Sequence, residues 1–197
     1  MTFPMTTKPH LILASTSPRR SELLRELGVP FVVEGSPATE VKPDHLSPQE
    51  ICQINAHRKA DAVARQNRNA WVLGADTLVF LGSRIFGKPS DLTEAHAMLV
   101  ALQGCVHQVI TGVCILNLGR NQRHVFAEST AVRFRSLTDR DIASYHALIQ
   151  PLDKAGAYAI QDHGERIVES IEGSHSNVVG LPVERLRSVF DQLGIRS

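Results

Sequence analysis

Asp76 is the carboxylate best placed for chemistry in this chain. It stands in Gly74-Ala-Asp-Thr77, where the apolar run that begins at Trp71 meets a break of small residues, and catalytic groups in open sheets favour such strand ends. Ser15-Thr-Ser-Pro-Arg-Arg20 follows the apolar run Leu11 to Ala14 just as closely. A helix that starts at Ser17-Pro18 gathers unpaired backbone N–H groups and a partial positive charge, which makes an anion seat. The hydroxyls of Ser15, Thr16 and Ser17 and the guanidinium groups of Arg19 and Arg20 add donors to that seat. A third stretch, Gln150 to Glu165, reads Q-P-L-D-K-A-G-A-Y-A-I-Q-D-H-G-E and sets polar and charged groups between small residues with no amphipathic period. Such a segment is expected to build a site and not a core.

Cations recur at similar junctions: Lys59 in an alanine-rich helical stretch, Lys88 in Phe-Gly-Lys-Pro and Lys154 in Asp-Lys-Ala-Gly. Three of them around a triphosphate would offset its charge. Glu40, in the proline-bearing stretch Gly35 to Leu46, is a candidate to join Asp76 in holding a hard divalent cation, since magnesium prefers one or two carboxylates plus substrate phosphate oxygens. Each signal has a plain alternative when taken singly: a capped helix, a turn aspartate, a solvated loop acid, surface lysines. Their combination points to hydrolysis of a charged, phosphate-bearing small molecule.

The bulk numbers set limits. With 197 residues and 43% hydrophobic content the chain can bury a full core, and one domain over 1–197 is expected, with residues 1–9 as a flexible N-terminal extension. Lys plus Arg (21) nearly balance Asp plus Glu (20), so no global basic field for nucleic acid exists and any phosphate site must be local. No window approaches the roughly 20 apolar residues of a membrane span, and the first ten residues carry no signal-peptide core. Cys52, Cys105 and Cys114 have neither disulfide-framework nor zinc spacing. A cytoplasmic protein with structural cysteines is expected, and the nine histidines, with no metal-binding arrangement, are read as structural or exposed.

The elements that must position these groups alternate. Leu11 to Ala14 is a strand; the helix after it carries Leu23, Leu24 and Leu27, with Gly28 at its C-cap. Phe31 to Glu34 reads as a strand and Ser47-Pro-Gln-Glu50 as a capping box for a helix to about Gln66. Trp71 to Gly74 and Thr77 to Leu81 are strand-like, with Gly82-Ser83 a turn before Arg84 to Phe86. A third helix bears Leu92, Met98, Leu99 and Leu102. Val106 to Leu118 and Arg123 to Phe134 form a wide hairpin. Thr138 caps a helix with Ile142, Tyr145 and Ile149 on one face. Ile167 to Ile171 and Asn177 to Val179 are short strands, and Pro182 opens a last helix. Some strands are hairpin-linked, so the α/β fold is expected to have a mixed twisted sheet flanked by helices.

Taken together, A-S-T-S-P-R-R-S-E-L-L, G-A-D-T, G-K-P, Thr111-Gly112, P-L-D-K-A-G-A-Y-A-I-Q and I-E-G-S-H-S-N-V-V-G-L-P, in that order, resemble the Maf family of nucleoside triphosphate pyrophosphatases. The resemblance spans Leu11 to about Leu186. It implies two lobes around a cleft, a shape shared with inosine triphosphatase-like enzymes, and commonly a homodimer. It also implies cleavage between the α and β phosphates that depends on a divalent metal such as magnesium, manganese or cobalt. By the same resemblance Asp76 is the proton acceptor, Arg19, Thr77 and Gln161 set base preference, and Ser15, Arg20, Glu40, Lys59, Lys88 and Lys154 contact phosphate or metal. The chain departs from the family where an Asp-Glu pair is usual and Ala38-Thr39-Glu40 stands instead.

Arg at position 19 and Gln at 161 resemble the dTTP and UTP branch; the 7-methyl-GTP branch has Trp at the first position, which suits a cationic purine. The Gln161 amide and the Arg19 donors can complement the acceptor, N–H, acceptor face of uracil or thymine. The alternatives are the same chemistry on another base and a nucleotide-sensing regulator of cell division without turnover.

Overall fold

The structure, a computed structural model, describes residues 10–195; the expected N-terminal extension 1–9 lies outside the described residues. Seven strands make one sheet: β1 (Leu11–Leu13), β2 (Val32–Val33), β3 (Trp71–Leu81), β4 (Arg84–Phe86), β5 (Val106–Asn117), β6 (Gln122–Phe134) and β7 (Val168–Glu172). Their order is β2-β1-β3-β5-β6-β7, with β4 also beside β3. β1 runs parallel to β2 and β3, and the other pairs are antiparallel, so the sheet is mixed as the sequence predicts.

Six helices flank it: α1 (Pro18–Arg25), α2 (Pro48–Ala64), α3 (Leu92–Leu102), α4 (Asp139–His146), α5 (His175–Val179) and α6 (Val183–Leu193). The capping box that starts α2 is formed in full, Ser47 accepting from Glu50 N while the Glu50 carboxylate accepts from Ser47 N. α2 covers one face, packing Ala56, Ala60 and Val63 on Ile12, Val72 and Cys114, and Ile51 and Cys52 on Leu78, Phe80 and Ile110. On the other face, α1 and α6 close a core with Leu13, Leu73 and Val113, while α3, α4 and the residues around Tyr158 close another with Val79, Val109 and Phe134. Those last two groups are the lobes, and the cleft lies between them.

Three expectations need correction. β3 does not break at Gly74-Ala-Asp-Thr77: it pairs with β5 without interruption from Val72 to Phe80. Gly74 is there because α2 passes so close that a Cβ would press into the Ala56 carbonyl oxygen and lie 2.8 Å from Ala60 N. Asn177 to Val179 belongs to a helix, α5, capped by Ser174 Oγ accepting from Asn177 N. The stretch 150–165 is not wholly site: it folds as short 3-10 turns and sends Ala157 and Tyr158 into the core.

Candidate active site

β3 is paired along the whole of one edge, but on the other edge β1 leaves it after Leu73 and β4 joins it only at Val79. Residues 74–78 therefore face a notch between a parallel and an antiparallel neighbour, the type of switch point where open sheets bind ligands. Asp76 and Thr77 sit side by side in it. Successive side chains of a strand point to opposite faces, so Asp76 faces α2 and Thr77 faces α1 and α5.

On the α2 face Asp76 is buried, 2% exposed, and both its oxygens are held from that helix. Lys59 Nζ donates to Oδ1 at 2.7 Å and Asn55 Nδ2 to Oδ2 at 3.0 Å. Lys59 also donates to Glu40 Oε1 at 2.7 Å, so two carboxylates meet on one ammonium. Burial by itself would raise the Glu40 carboxyl, but the hydrogen bond and charge of Lys59 outweigh it and hold it below the ordinary glutamate value. Asn55 fixes the loop that brings Glu40 in, accepting from Val41 N at 2.8 Å and donating to Val41 O at 3.0 Å.

Among the described residues no group of three or more His, Cys, Asp or Glu could hold a metal ion. Two hard carboxylates converging on one cation site do fit a magnesium-type ion that completes its shell with water and phosphate oxygens. Glu40, despite the altered run before it, reaches the same Lys59 ammonium as Asp76.

On the opposite face Arg20 ties the notch to α5. Its Nε donates to Gly180 O at 3.0 Å, Nη2 to Thr77 Oγ1 at 3.0 Å and Nη1 to Ser15 Oγ at 3.4 Å. Burial pulls its pKa below the usual arginine value, and the Asp76 charge opposes that pull. Thr77 Oγ1 lies 3.0 Å from Thr111 Oγ1, and Thr111 donates to Asn177 O at 3.1 Å.

Two adjoining pockets open on the notch. One is walled by Val79, Val109, Tyr158, Ile160 and Val178, with Thr77, Lys154 and Gln161 as polar members. The other is polar, lined by Ser15, Ser36, Glu40 and Lys59. Arg19, Arg20, Lys88 and Asp153 line both. Every residue singled out in the sequence thus reaches one pocket or, for Asp76, the ion pair beneath it.

Their states differ from expectation in places. Arg19 is clamped by Asp153, with Nη1 donating to Oδ2 at 2.9 Å and Nη2 to the backbone oxygen at 3.3 Å. Lys154 is buried and donates to Asp153 Oδ1 at 2.7 Å and Gln150 O at 2.8 Å. Only one of its three protons is left for a ligand. Burial of Asp153 is outweighed by hydrogen bonds from Lys154 and Arg19, which hold its carboxyl below the usual value. Lys88 has no ion pair or hydrogen bond among the described residues and is the open cation between the pockets. Gln161 is exposed and follows a bend, and Gly156 and Ala157 have φ of 72° and 60°.

Sequence reasoning gave no role to Asn55, Thr111 or Asp153, although the last two stand in the motifs quoted above. Asp153 stands in the stretch already singled out, next to Lys154. The other two act through contacts distant in sequence.

The family model described as Maf-like protein matches residues 10–193. Three relatives, each named dTTP/UTP pyrophosphatase, align over nearly their whole lengths. The one from Akkermansia muciniphila is 46% identical, covering 96% of this chain and 99% of its own. That from Pelotomaculum thermopropionicum is 42% identical, covering 93% and 96%, and that from Bacillus anthracis is 46% identical, covering 94% and 96%. Among solved structures, the Ham1 protein of Staphylococcus aureus superposes with a TM-score of 0.52 over 93% of this chain and 98% of its own at 16% identity, a likeness of fold.

Proposed function

The chain belongs to the Maf-like protein family, and we propose from this that it hydrolyses dTTP and UTP to the monophosphate and pyrophosphate, using a divalent cation. The observation that carries the reading is the notch in β3, with an apolar-walled pocket on the Thr77 side and, over the buried Asp76, a polar pocket lined by Glu40 and Lys59. A flat base suits the first and a triphosphate the second.

In this mechanism Lys88 and the open N–H groups of Arg20 take the phosphates, and the N-terminus of α1 adds its unpaired N–H groups. Water attacks the α phosphorus, the bond from that phosphorus to the αβ bridging oxygen breaks, and pyrophosphate leaves with that oxygen. Each Asp76 oxygen already accepts one hydrogen bond and keeps a second lone pair, so Asp76 would accept the proton of the attacking water. Asn55 and Lys59 hold it oriented for that step. A magnesium, manganese or cobalt ion held by Glu40 and Asp76 would supply charge neutralisation at the phosphate oxygens. Val79, Val109, Tyr158 and Val178 exclude water around the base.

The test is incubation of the purified protein with dTTP, UTP, CTP and 7-methyl-GTP, with separate assay of pyrophosphate and orthophosphate. Pyrophosphate with the monophosphate, fastest from dTTP and UTP, is expected. Orthophosphate as the primary product overturns the reaction assignment, and full activity in excess EDTA overturns the metal requirement.

A further inference from the structure

We infer that Thr111, which does not line the pocket, fixes the direction of the Thr77 hydroxyl and thereby makes the base site accept a nucleobase N–H and refuse a bare ring nitrogen. The inference rests on the pyrimidine reading above and deepens it.

The protons in this hydroxyl chain can be counted. Thr111 is fully buried, 0% exposed, and its oxygen is 3.1 Å from the Asn177 carbonyl oxygen. A carbonyl only accepts, so the single Thr111 proton goes there. The 3.0 Å contact between the two threonine oxygens then needs its proton from Thr77. The guanidinium of Arg20 only donates, so its 3.0 Å contact occupies one Thr77 lone pair. What Thr77 has left is one lone pair and no proton. The reverse arrangement would set Thr111 Oγ1 and Asn177 O against each other, two buried acceptors with no proton between them, at the cost of an unmade hydrogen bond.

The free lone pair is accessible. Thr77 lines the pocket walled by Val79, Val109, Tyr158 and Val178. Gly180, at φ 129°, leaves the space beside it open: a Cβ there would lie 3.6 Å from Thr77 Oγ1 and 3.7 Å from Arg20 Nε. A phosphate oxygen would meet this hydroxyl acceptor to acceptor, so Thr77 serves the base end of the substrate. Uracil and thymine carry an N–H at ring position 3. Cytosine carries a lone pair at the same place and would face the Thr77 lone pair. Thr111 is a positioning residue: it touches no substrate and sets the polarity of the residue that does.

The test is kcat/KM for UTP and CTP, with product analysis, in the wild type, Thr111→Val and Thr111→Ser. In the wild type the fixed hydroxyl should favour UTP by roughly 10- to 100-fold, the scale of one mismatched hydrogen bond in a closed pocket. Thr111→Val would free the Thr77 proton to turn into the pocket, so the UTP to CTP ratio should fall by about tenfold, chiefly through a lower KM for CTP. Thr111→Ser keeps the hydroxyl and should restore the ratio. A parallel loss on both nucleotides in folded Thr111→Val, or a serine variant that behaves like the valine one, overturns the inference. Wild-type turnover of 3-methyl-UTP, which lacks the N–H, needs no variant: a drop of about tenfold or more against UTP supports it, and equal rates overturn it. Failure of the underlying reading looks different, since the wild type would then release no pyrophosphate from UTP at all.

Discussion

Replacing Lys59 by methionine removes a charge while keeping a side chain of similar length, and the structure sets the cost. Lys59 Nζ is 2.7 Å from both Asp76 Oδ1 and Glu40 Oε1, with side-chain exposures of 14% for Lys59, 3% for Asp76 and 41% for Glu40. Breaking a fully buried pair by removing one partner costs about 3 to 5 kcal/mol. Glu40 is half in water and contributes little, so the low end applies, about 3 kcal/mol, nearly all from the Asp76 carboxylate left with Asn55 as its one donor. In a chain of this length each kcal/mol moves Tm by about 2 to 4 °C, which gives a fall of about 6 to 12 °C. Asp76→Asn should cost less, because Lys59 keeps Glu40 and some solvent, and adding it to Lys59→Met should recover about 2 kcal/mol, since no buried charge is then unpaired. Thermal unfolding by circular dichroism in EDTA and in millimolar magnesium reads all of this. If Glu40 and Asp76 hold the cation, magnesium should raise the Tm of Lys59→Met more than that of the wild type, because no ammonium competes for the site. A Lys59→Met protein within about 1 °C of wild type in EDTA would refute the charge argument, and equal magnesium shifts in both proteins would refute the cation site.

Two further outcomes follow from the packing. Gly74→Ala should destabilise by about 3 kcal/mol or more by forcing α2 off the sheet, and should also lower activity per folded molecule because α2 carries Asn55 and Lys59; Gly82→Ala, in open space at φ 60°, should cost about 1 kcal/mol at unchanged specific activity. Urea unfolding with activity normalised to folded protein separates the two, and retained activity in folded Gly74→Ala would show that the close approach is not needed for the site. Burial pushes His107 down to about 4, so as pH falls below about 6.5 the unfolded chain takes up a proton that the folded one refuses. Stability is therefore full above that pH and declines by about 1.4 kcal/mol per pH unit down to about 4, some 3 kcal/mol in all; His146, also lowered by burial, adds in the same direction. Urea unfolding at pH 5 and 7.5 should show most of this difference vanish in His107→Gln, and an unchanged slope would place the proton uptake elsewhere.

What the sequence makes legible is what local chemistry decides. Ser17-Pro18 and the Ser47 capping box name the starts of α1 and α2, and the Val- and Thr-rich runs at 106–118 and 123–134 name the longest hairpin. What it hides is decided by contacts across the chain. Gly74 looks like a strand break because nothing nearby in sequence reveals that Ala56 and Ala60 of α2 touch its backbone. Asn177 to Val179 has the β-branched pair of a strand, yet Ser174 capping and the buried Asn177 amide, donating to Val109 O and Thr130 Oγ1 at 3.0 Å each, hold it as a helical turn. Thr111 gains its role only from the register Thr77↔Thr111; a reading that had paired the first hairpin strand with the 71–81 run would have set the two hydroxyls together. Tyr158 lies in the stretch read as a site and lines a pocket, but its hydroxyl is 2.8 Å from buried His107 Nε2, so the same ring is also core.

The continuity of β3 changes how Gly74-Ala-Asp-Thr77 works. A loop at this point would have let Asp76 and Thr77 turn toward the same side. A strand forbids that, because one step along the chain swaps faces. The carboxylate is committed to α2, which supplies Lys59 and Asn55, and the hydroxyl to α1 and α5, which supply Arg20 and Gly180. Both residues lie at the gap that β1 and β4 leave along this edge of β3. In the proposed mechanism, base reading and phosphate chemistry therefore fall to adjacent residues of one strand that are bonded to different helices. On that proposal the two should vary separately: a change at Thr111 or Gly180 should alter which base is accepted without touching the Lys59 ion pair, and a change at Lys59 or Asn55 should alter the carboxylates without touching the hydroxyl chain.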